Sequence, residues 1–413
     1  MAVRDQTETY VAFSKSQRHD VRLLAVFRGA SYLGDTIALI ALFLRLAPLG
    51  HAWAIAALAI AGSLPLVALA PLAGRTIDHQ PAKRLLVIVG LVESMICAGL
   101  GLWHGLVATL VLMLALSSCV AFSLPGYTAL IPTLAGEENI ERSQGLVQSA
   151  QGVAGVAGPA LGGLLVGWSG QSWPLYIDAV SFGVGALATT LLHHDRRPSA
   201  RSEIETIESR RLLGGASFVW HDDVLRPIIV AVMVFMLSLG MVNVAEVFFA
   251  TVTLHASALE YGLIGTSFGA GTIVGSLASA RWRFAQVRLV KYVLISIVLV
   301  GLLIGAGGLV TRVQMMYPLL FTAGVCVGAV NVMYNTLFIK RTPEPKRGRV
   351  FAASGAMFTA SEVGATALGG LVLTVLSPRT VLQVAGVLSA LSIVVIGPFA
   401  LRASRIARER ERE

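Results

Sequence analysis

The sequence predicts an all-α membrane protein of twelve transmembrane helices, arranged as two pseudo-symmetric halves of six. Three observations predict it. Hydrophobic residues make up 55% of the 413-residue chain and charged residues 13%; a soluble domain carries about a quarter charged, and so little polar material cannot coat a water-exposed surface. Apolar runs long enough to cross a bilayer, about 20 residues each, recur from residue 22 to residue 401. Short segments also repeat at a spacing of half the chain.

Residues 1–21 are polar, with Arg4, Asp5, Glu8, Lys15, Arg18 and Asp20. A removable signal would place a short apolar core there, so this segment reads as a cytoplasmic N-terminal tail. The first half, 22–193, holds spans at 22–47, 52–74, 85–104, 106–132, 143–169 and 173–193. A polar central loop, 194–226, follows; within it Leu212, Leu213, Phe218 and Val219 predict a short amphipathic helix over 209–220 along the membrane face, or a linker with some helix. The second half, 227–401, holds spans at 227–253, 258–280, 290–310, 314–339, 350–376 and 380–401, and 402–413 reads as a cytoplasmic C-terminal tail.

Positive charge fixes the orientation. Nearly all Lys and Arg fall in the two tails, the central loop, and the segments 75–84, 142, 281–291 and 340–349. The other side has only Arg312 and Arg379, and apart from Arg22 and Lys291 at span ends only Arg28 and Arg45 lie inside spans. The positive-inside rule then puts both termini in the cytoplasm of a multi-pass protein of the inner membrane. The net charge of +9 is an orientation signal and not a nucleic-acid surface.

The repeat is specific. Tyr127-Thr128-Ala129-Leu130 resembles Tyr334-Asn335-Thr336-Leu337, and Ala160-Leu161-Gly162-Gly163-Leu164 matches Ala367-Leu368-Gly369-Gly370-Leu371, both at an offset of 207. Leu33-Gly34 meets Leu239-Gly240 at 206. Each match alone is weak; a shared offset of half the chain is not. Parallel six-span repeats are a transporter architecture, with the solute site near midplane between the halves.

Cys97, Cys119 and Cys326 each lie inside an apolar run and form neither a disulfide framework nor a metal spacing. His79, His104, His193, His194 and His255 lie in or near loops without ligand spacing, and His193-His194 reads as a boundary pair. No metal or cofactor is expected. No phosphate loop of the G-x-x-x-x-G-K-[ST] type is present, which argues against an ATP-driven pump in this chain, and nothing resembles enzyme chemistry.

Residues 74–84 carry Gly74, Asp78, Lys83 and Arg84 in the loop after span two. They resemble the loop motif of the major facilitator superfamily, with His79 where Arg is usual and Pro81 where Gly is usual. Gly74 would permit close helix approach, and Asp78 would cap a helix or pair with a cation, latching the two halves together on the cytoplasmic side. Gly158, Pro159, Gly162 and Gly163 in span five resemble the G-P-x-x-G-G motif of facilitator antiporters. Small residues there allow helices to approach and Pro159 kinks the span. Residues 123–132 and 139–151 are similar to the drug:proton antiporter branch that includes macrolide-efflux and enterobactin-exporter-like proteins. The resemblance spans the whole chain and implies the major facilitator fold and proton-coupled export. One departure stands out: span four, 106–132, contains no Arg, whereas many drug antiporters use one there for proton coupling.

A charge at the bilayer midplane costs about 2.5–3.5 kcal/mol on insertion scales, so each needs a role. Asp35, about 20 Å into span one, is the first candidate for a proton-coupling carboxylate, or else a structural hydrogen-bonding group. Arg28, on the same helix face about 10 Å away, tunes Asp35, binds an anionic group or snorkels to the cytoplasmic surface. Glu246 and Glu362 are further coupling candidates. Glu93 ranks lower, since third spans pack peripherally in the resembling family, and Asp178 reads as a helix-end or gating residue. Polar and aromatic cavity candidates are Tyr32, Gln148, Gln151, Asn243, Asn331, Tyr334 and Asn335.

These features lead to an expectation of a monomeric secondary transporter. It would export small amphipathic molecules or drugs in exchange for protons, or else one endogenous metabolite or siderophore. A non-transporting receptor or scaffold is the reading of a different class. The expected partners are a small-molecule substrate, protons and the lipid bilayer.

Overall fold

In the computed structural model, residues 14–195, 214–281 and 286–410 are described. They form fourteen α-helices and no strand. The first is α1 (Lys15–Leu46). It starts earlier than hydropathy alone suggests because Ser14 and Gln17 close a capping box: the Gln17 N–H donates to Ser14 Oγ and the Ser14 N–H to Gln17 Oε1. At 32 residues it is about 48 Å long, against a hydrocarbon core of about 30 Å. Its first turns therefore project beyond the span on the basic face.

The second span is broken. It forms α2 (Ala52–Ala68) and α3 (Ala70–His79), bent by 51°. Pro71 explains the break: it sits in the first turn of α3, where its missing N–H costs nothing but where it cannot continue the preceding helix. The first half continues with α4 (Ala82–Leu102), α5 (Leu106–Ala135), α6 (Ile140–Ser169) and α7 (Ser172–Thr190).

Of the expected central helix, residues 209–213 lie outside the described residues. Residues 214–221 form α8, which is docked and not free: Val219 is fully buried and Phe218 packs on the core. The second half comprises α9 (Leu225–Phe248), α10 (Ala258–Ala280), α11 (Gln286–Gly307), α12 (Met316–Arg341), α13 (Arg347–Val372) and α14 (Pro378–Arg410). The expected C-terminal tail is mostly a continuation of α14, because its Ala, Arg and Glu residues are good helix formers.

Among the described residues, nine helices are long and apolar enough to span a membrane, ten counting the bent pair. The other two spans, α7 and α13, are long enough but more polar. Asp178 and four Ser or Thr residues lie on α7, and Arg347, Arg349 and Glu362 on α13. The outer surface is apolar, with Val107 74%, Trp168 85% and Val375 84% exposed, as a lipid-facing surface requires.

Within the first half α1 packs on α6 and α7, α4 on α5 and α7, and α2 on α5. Within the second, α10 packs on α12, α11 on α12 and α14, and α9 on α13 and α14. The main contacts between the halves are α6 against α10 and α13 against α2. Under the half-chain repeat, α6 corresponds to α13 and α2 (with α3) to α10, so these two contacts are copies of one another.

The paired glycines of the repeat make both contacts possible. A Cβ on Gly162 would press on Ile37 of α1, within its own half, and one on Gly163 would collide with the Ala258 carbonyl of α10, across the divide. Likewise a Cβ on Gly369 would press on Met241 of α9, and one on Gly370 would collide with Ala56 of α2. One glycine of each pair thus closes its own half and the next closes the interface.

Candidate functional site

The contacts between halves lie toward the ends of the helices that face away from the basic loops: Gly163 with Ala258, Gly262 with Pro159, and Gly370 with Ala56. The tightest glycine contacts between the halves therefore lie away from the basic face. At the middle of this seam, Pro159 interrupts the backbone ladder of α6 and a side chain of the opposite half enters the gap. Thr266 Oγ1 of α10 donates to Val156 O at 2.7 Å and accepts the Ala160 N–H at 3.1 Å. In a regular helix those two backbone groups bond to each other; here a hydroxyl of the other half engages both.

On the basic side, a cavity of about 550 Å³ is lined by Arg18, Val21, Arg22, Arg142, Leu146 and Ser149 of α1 and α6. In the second half a cleft of about 250 Å³ brings together three of the expected cavity residues, Asn331, Tyr334 and Asn335. Asn331 and Asn335 are exposed. Tyr334 is buried, its ring 4.2 Å from that of Phe338 and 5.4 Å from that of Phe358. Phe235, Met236 and Phe351 complete an aromatic and thioether wall, an adaptable apolar surface with two amides. The other expected cavity residues are not in this cleft. Tyr32, Gln148 and Asn243 are exposed and Gln151 is half-buried. Tyr32 borders the α6 surface at Gly155.

The first half contains the denser set of ionisable groups. Asp35 of α1, Glu93 of α4 and Asp178 of α7 lie close enough to interact electrostatically, and Arg28 acts on Asp35 and Glu93. Glu93 is 1% exposed and accepts a hydrogen bond from Ser123 Oγ of α5 at 2.9 Å. Asp178 is also 1% exposed; the Cys97 thiol donates to its Oδ2 at 3.3 Å and the Ser181 hydroxyl lies 3.2 Å from its Oδ1. Arg28 rests over the Tyr127 ring, 4.7 Å from its centre, a cation–π contact within the bundle instead of an extension to the surface.

Two sequence expectations change here. Asp178 is not a helix-end residue: it lies inside the bundle, where Gly34 lets α1 close on it. A Cβ on Gly34 would run into the Asp178 carboxylate and come within 2.7 Å of Ser181 Oγ. Glu93 is not peripheral, because the inner face of α4 packs on both α5 and α7. In the second half the acids stay apart. Glu246 is half-buried near Tyr261 of α10, while Glu362 is exposed on α13.

The loop motif after span two also differs from expectation. Gly74 has open space where a Cβ would be, so it marks no close approach. Lys83 bonds within its own half: its Nζ donates to the carbonyls of Thr190 (3.2 Å) and Leu192 (2.6 Å), capping the end of α7, and its backbone N–H donates to Asp195 Oδ1. Arg84 is exposed, and the Asp78 side chain lies outside the described residues. Around Lys83, then, the motif region ties span three to span six.

Comparison with known proteins agrees with this architecture. The family model of the Major Facilitator Superfamily matches residues 24–252 and 228–413. The chain is 27% identical over 391 residues to the multidrug efflux pump Tap of Mycobacterium tuberculosis (strain ATCC 25618 / H37Rv), covering 89% of this chain and 90% of that one. It is 24% identical over 302 residues to a multi-drug resistance efflux pump PmrA homolog of Lactococcus lactis subsp. lactis, covering 71% and 72%. Similar solved folds include a bacterial homologue of the iron transporter ferroportin in an inward-facing state, with TM-score 0.68, 14% identity, and 94% and 99% coverage. The nucleoside transporter NupG gives TM-score 0.69, 14% identity, and 92% and 98% coverage.

Proposed function

The chain belongs to the major facilitator superfamily, and from that premise we propose that it is a proton-coupled exporter of small amphipathic molecules, working by alternating access as a monomer in the inner membrane. The basic face is taken as cytoplasmic, on the positive-inside rule. With the tight contacts between the halves on the far side, we read the space between them as open to the cytoplasm, the side from which an exporter loads. The similarity to relatives named multidrug efflux pumps supports the direction and the substrate class.

The observation that carries the coupling is the proximity of Asp35, Glu93 and Asp178 to one another, with Arg28 acting on Asp35 and Glu93. Such a set can exchange protons as the halves rock and water gains or loses access. Arg28 also supplies the basic group that span four lacks. A proton can drive the cycle only through a difference in its binding between the two states; α1 carries Asp35 and contacts the interface helix α6, so the set senses the motion.

The second-half cleft, with two exposed amides and an aromatic wall, suits an amphipathic substrate. Purified protein in proteoliposomes with an imposed pH gradient tests the reading, with a cationic dye as substrate. Asp35→Asn is expected to abolish uphill movement while dye binding persists. Uphill movement at the wild-type rate in Asp35→Asn removes Asp35 from the coupling mechanism, and no gradient-driven movement in the wild type across cationic, neutral and anionic compounds removes the proposal.

A further inference from the structure

Away from the transport path, a second polar cluster forms where the basic-side ends of α1 and α7 meet. The capping box at Ser14 sets where α1 begins and so places His19 and Asp20 just before the apolar span. Lys83 holds the end of α7 through Thr190 O and Leu192 O, which delivers the next two residues, His193 and His194, onto Asp20. The carboxylate is fully buried. Its Oδ2 accepts the backbone N–H of His193 at 3.0 Å and of His194 at 3.3 Å, and lies 3.0 Å from His194 Nδ1. Its Oδ1 faces two further ring nitrogens, His193 Nδ1 at 2.8 Å and His19 Nδ1 at 3.3 Å.

This is a built donor set. The potential ligand atoms of His19, Asp20 and His193 lie within 4.8 Å of one another, and the His19 and His193 rings meet edge to face at 5.2 Å. The carboxylate is held from behind by two backbone N–H groups, as outer-shell donors hold a ligating carboxylate. The imidazoles are 54% and 57% exposed, so an ion has an open route. Ligands of a tetrahedral site with bonds of about 2.0–2.1 Å stand roughly 3.3 Å apart; the Oδ1 to His19 Nδ1 spacing is 3.3 Å, and the Oδ1 to His193 Nδ1 spacing, 2.8 Å, would open by about half an ångström on binding.

We propose that His19, Asp20 and His193 bind one borderline divalent transition-metal ion, Zn²⁺ or Co²⁺ in type, with water in the fourth position and His194 steadying the carboxylate. Two imidazoles and one carboxylate suit Zn²⁺, Co²⁺ or Ni²⁺; Ca²⁺ and Mg²⁺ need six or more oxygens. Sequence spacing conceals the site, because 173 residues separate His193 from Asp20. The ion would pin α1 to α7, the two helices that carry Asp35 and Asp178.

Co²⁺ is the probe, added to full-length protein freed of any polyhistidine tag, in detergent. The visible bands of tetrahedral Co²⁺ are expected to saturate at one equivalent and to be displaced by Zn²⁺. His19→Ala, at a half-exposed side chain that leaves the fold unburdened, is expected to weaken binding at least about tenfold, as is His193→Gln. A ten-fold excess of Mg²⁺ should not compete. Absence of the bands, affinity unchanged in both variants, or displacement by Mg²⁺ would each overturn the site.

Discussion

At the scale of single residues, the first half is organised around contacts that tolerate no added atom. Gly34 is the clearest. Its hydrogen faces the Asp178 carboxylate and Ser181 hydroxyl, and a methyl there has no space. Gly34→Ala is expected to force α1 away from α7 and destabilise the protein by about 1–3 kcal/mol, the usual result of overfilling a packed interior, seen as a lower melting temperature in detergent. Glu93→Gln is a gentler probe. The amide oxygen still accepts from Ser123, so the fold should hold, but one proton site is gone. Gradient-driven transport is expected to fall at least about tenfold with the melting temperature nearly unchanged; full transport would assign Glu93 to structure alone. Asp35 was legible in the sequence because an acid in an apolar span is costly. Glu93 and Asp178 carried the same signal, yet their meeting with Asp35 did not show, since no local period says which spans are neighbours.

At the scale of elements, the decisive feature is a helix repaired by another. Pro159 was legible as a kink and Gly162-Gly163 as a packing surface. Thr266 was not, because one threonine in an apolar helix carries no signal until its neighbour is known. Its hydroxyl bridges Val156 O and Ala160 N across the seam between the halves. Thr266→Val keeps the shape and removes two hydrogen bonds across the seam, each worth about 0.5–1.5 kcal/mol. That penalty falls only on the state in which the halves meet here, so the variant is expected to shift the population toward the opposite-facing state by at least about fivefold. Spin-label distances across α6 and α10 would measure the shift, and Thr266→Ser should restore the wild-type distribution. The broken second span shows the converse limit. Hydropathy reads through Pro71 as one apolar run, while the backbone cannot.

At the scale of the whole molecule, the repeat visible in sequence is the repeat that closes the interface. The words at 160–164 and 367–371 place one glycine pair on each of two symmetry-related contacts, α6 with α10 and α13 with α2. Twelve spans were legible from apolar runs and one-sided charge, even α7 and α13, whose polarity weakens their signal. What stayed hidden was the pairing of spans across the divide, which depends on three-dimensional arrangement alone. That pairing makes a strong demand: if transport is a rocking of halves, both contacts must part in every cycle. The two positions best suited to test it are Gly167 and Ala258, where a Cβ on Gly167 would stand 3.9 Å from the Cβ of Ala258, within the 3.5–4.5 Å that a disulfide requires. In a background with Cys97, Cys119 and Cys326 replaced, Gly167→Cys with Ala258→Cys should cross-link on oxidation. Transport should then stop and return on reduction, while each single variant stays active under both conditions. Because the bond spans only this seam, an oxidised, fully cross-linked protein that still moves substrate would show that the halves do not separate at α6 and α10, and the rocking mechanism would have to be replaced by motion within one half.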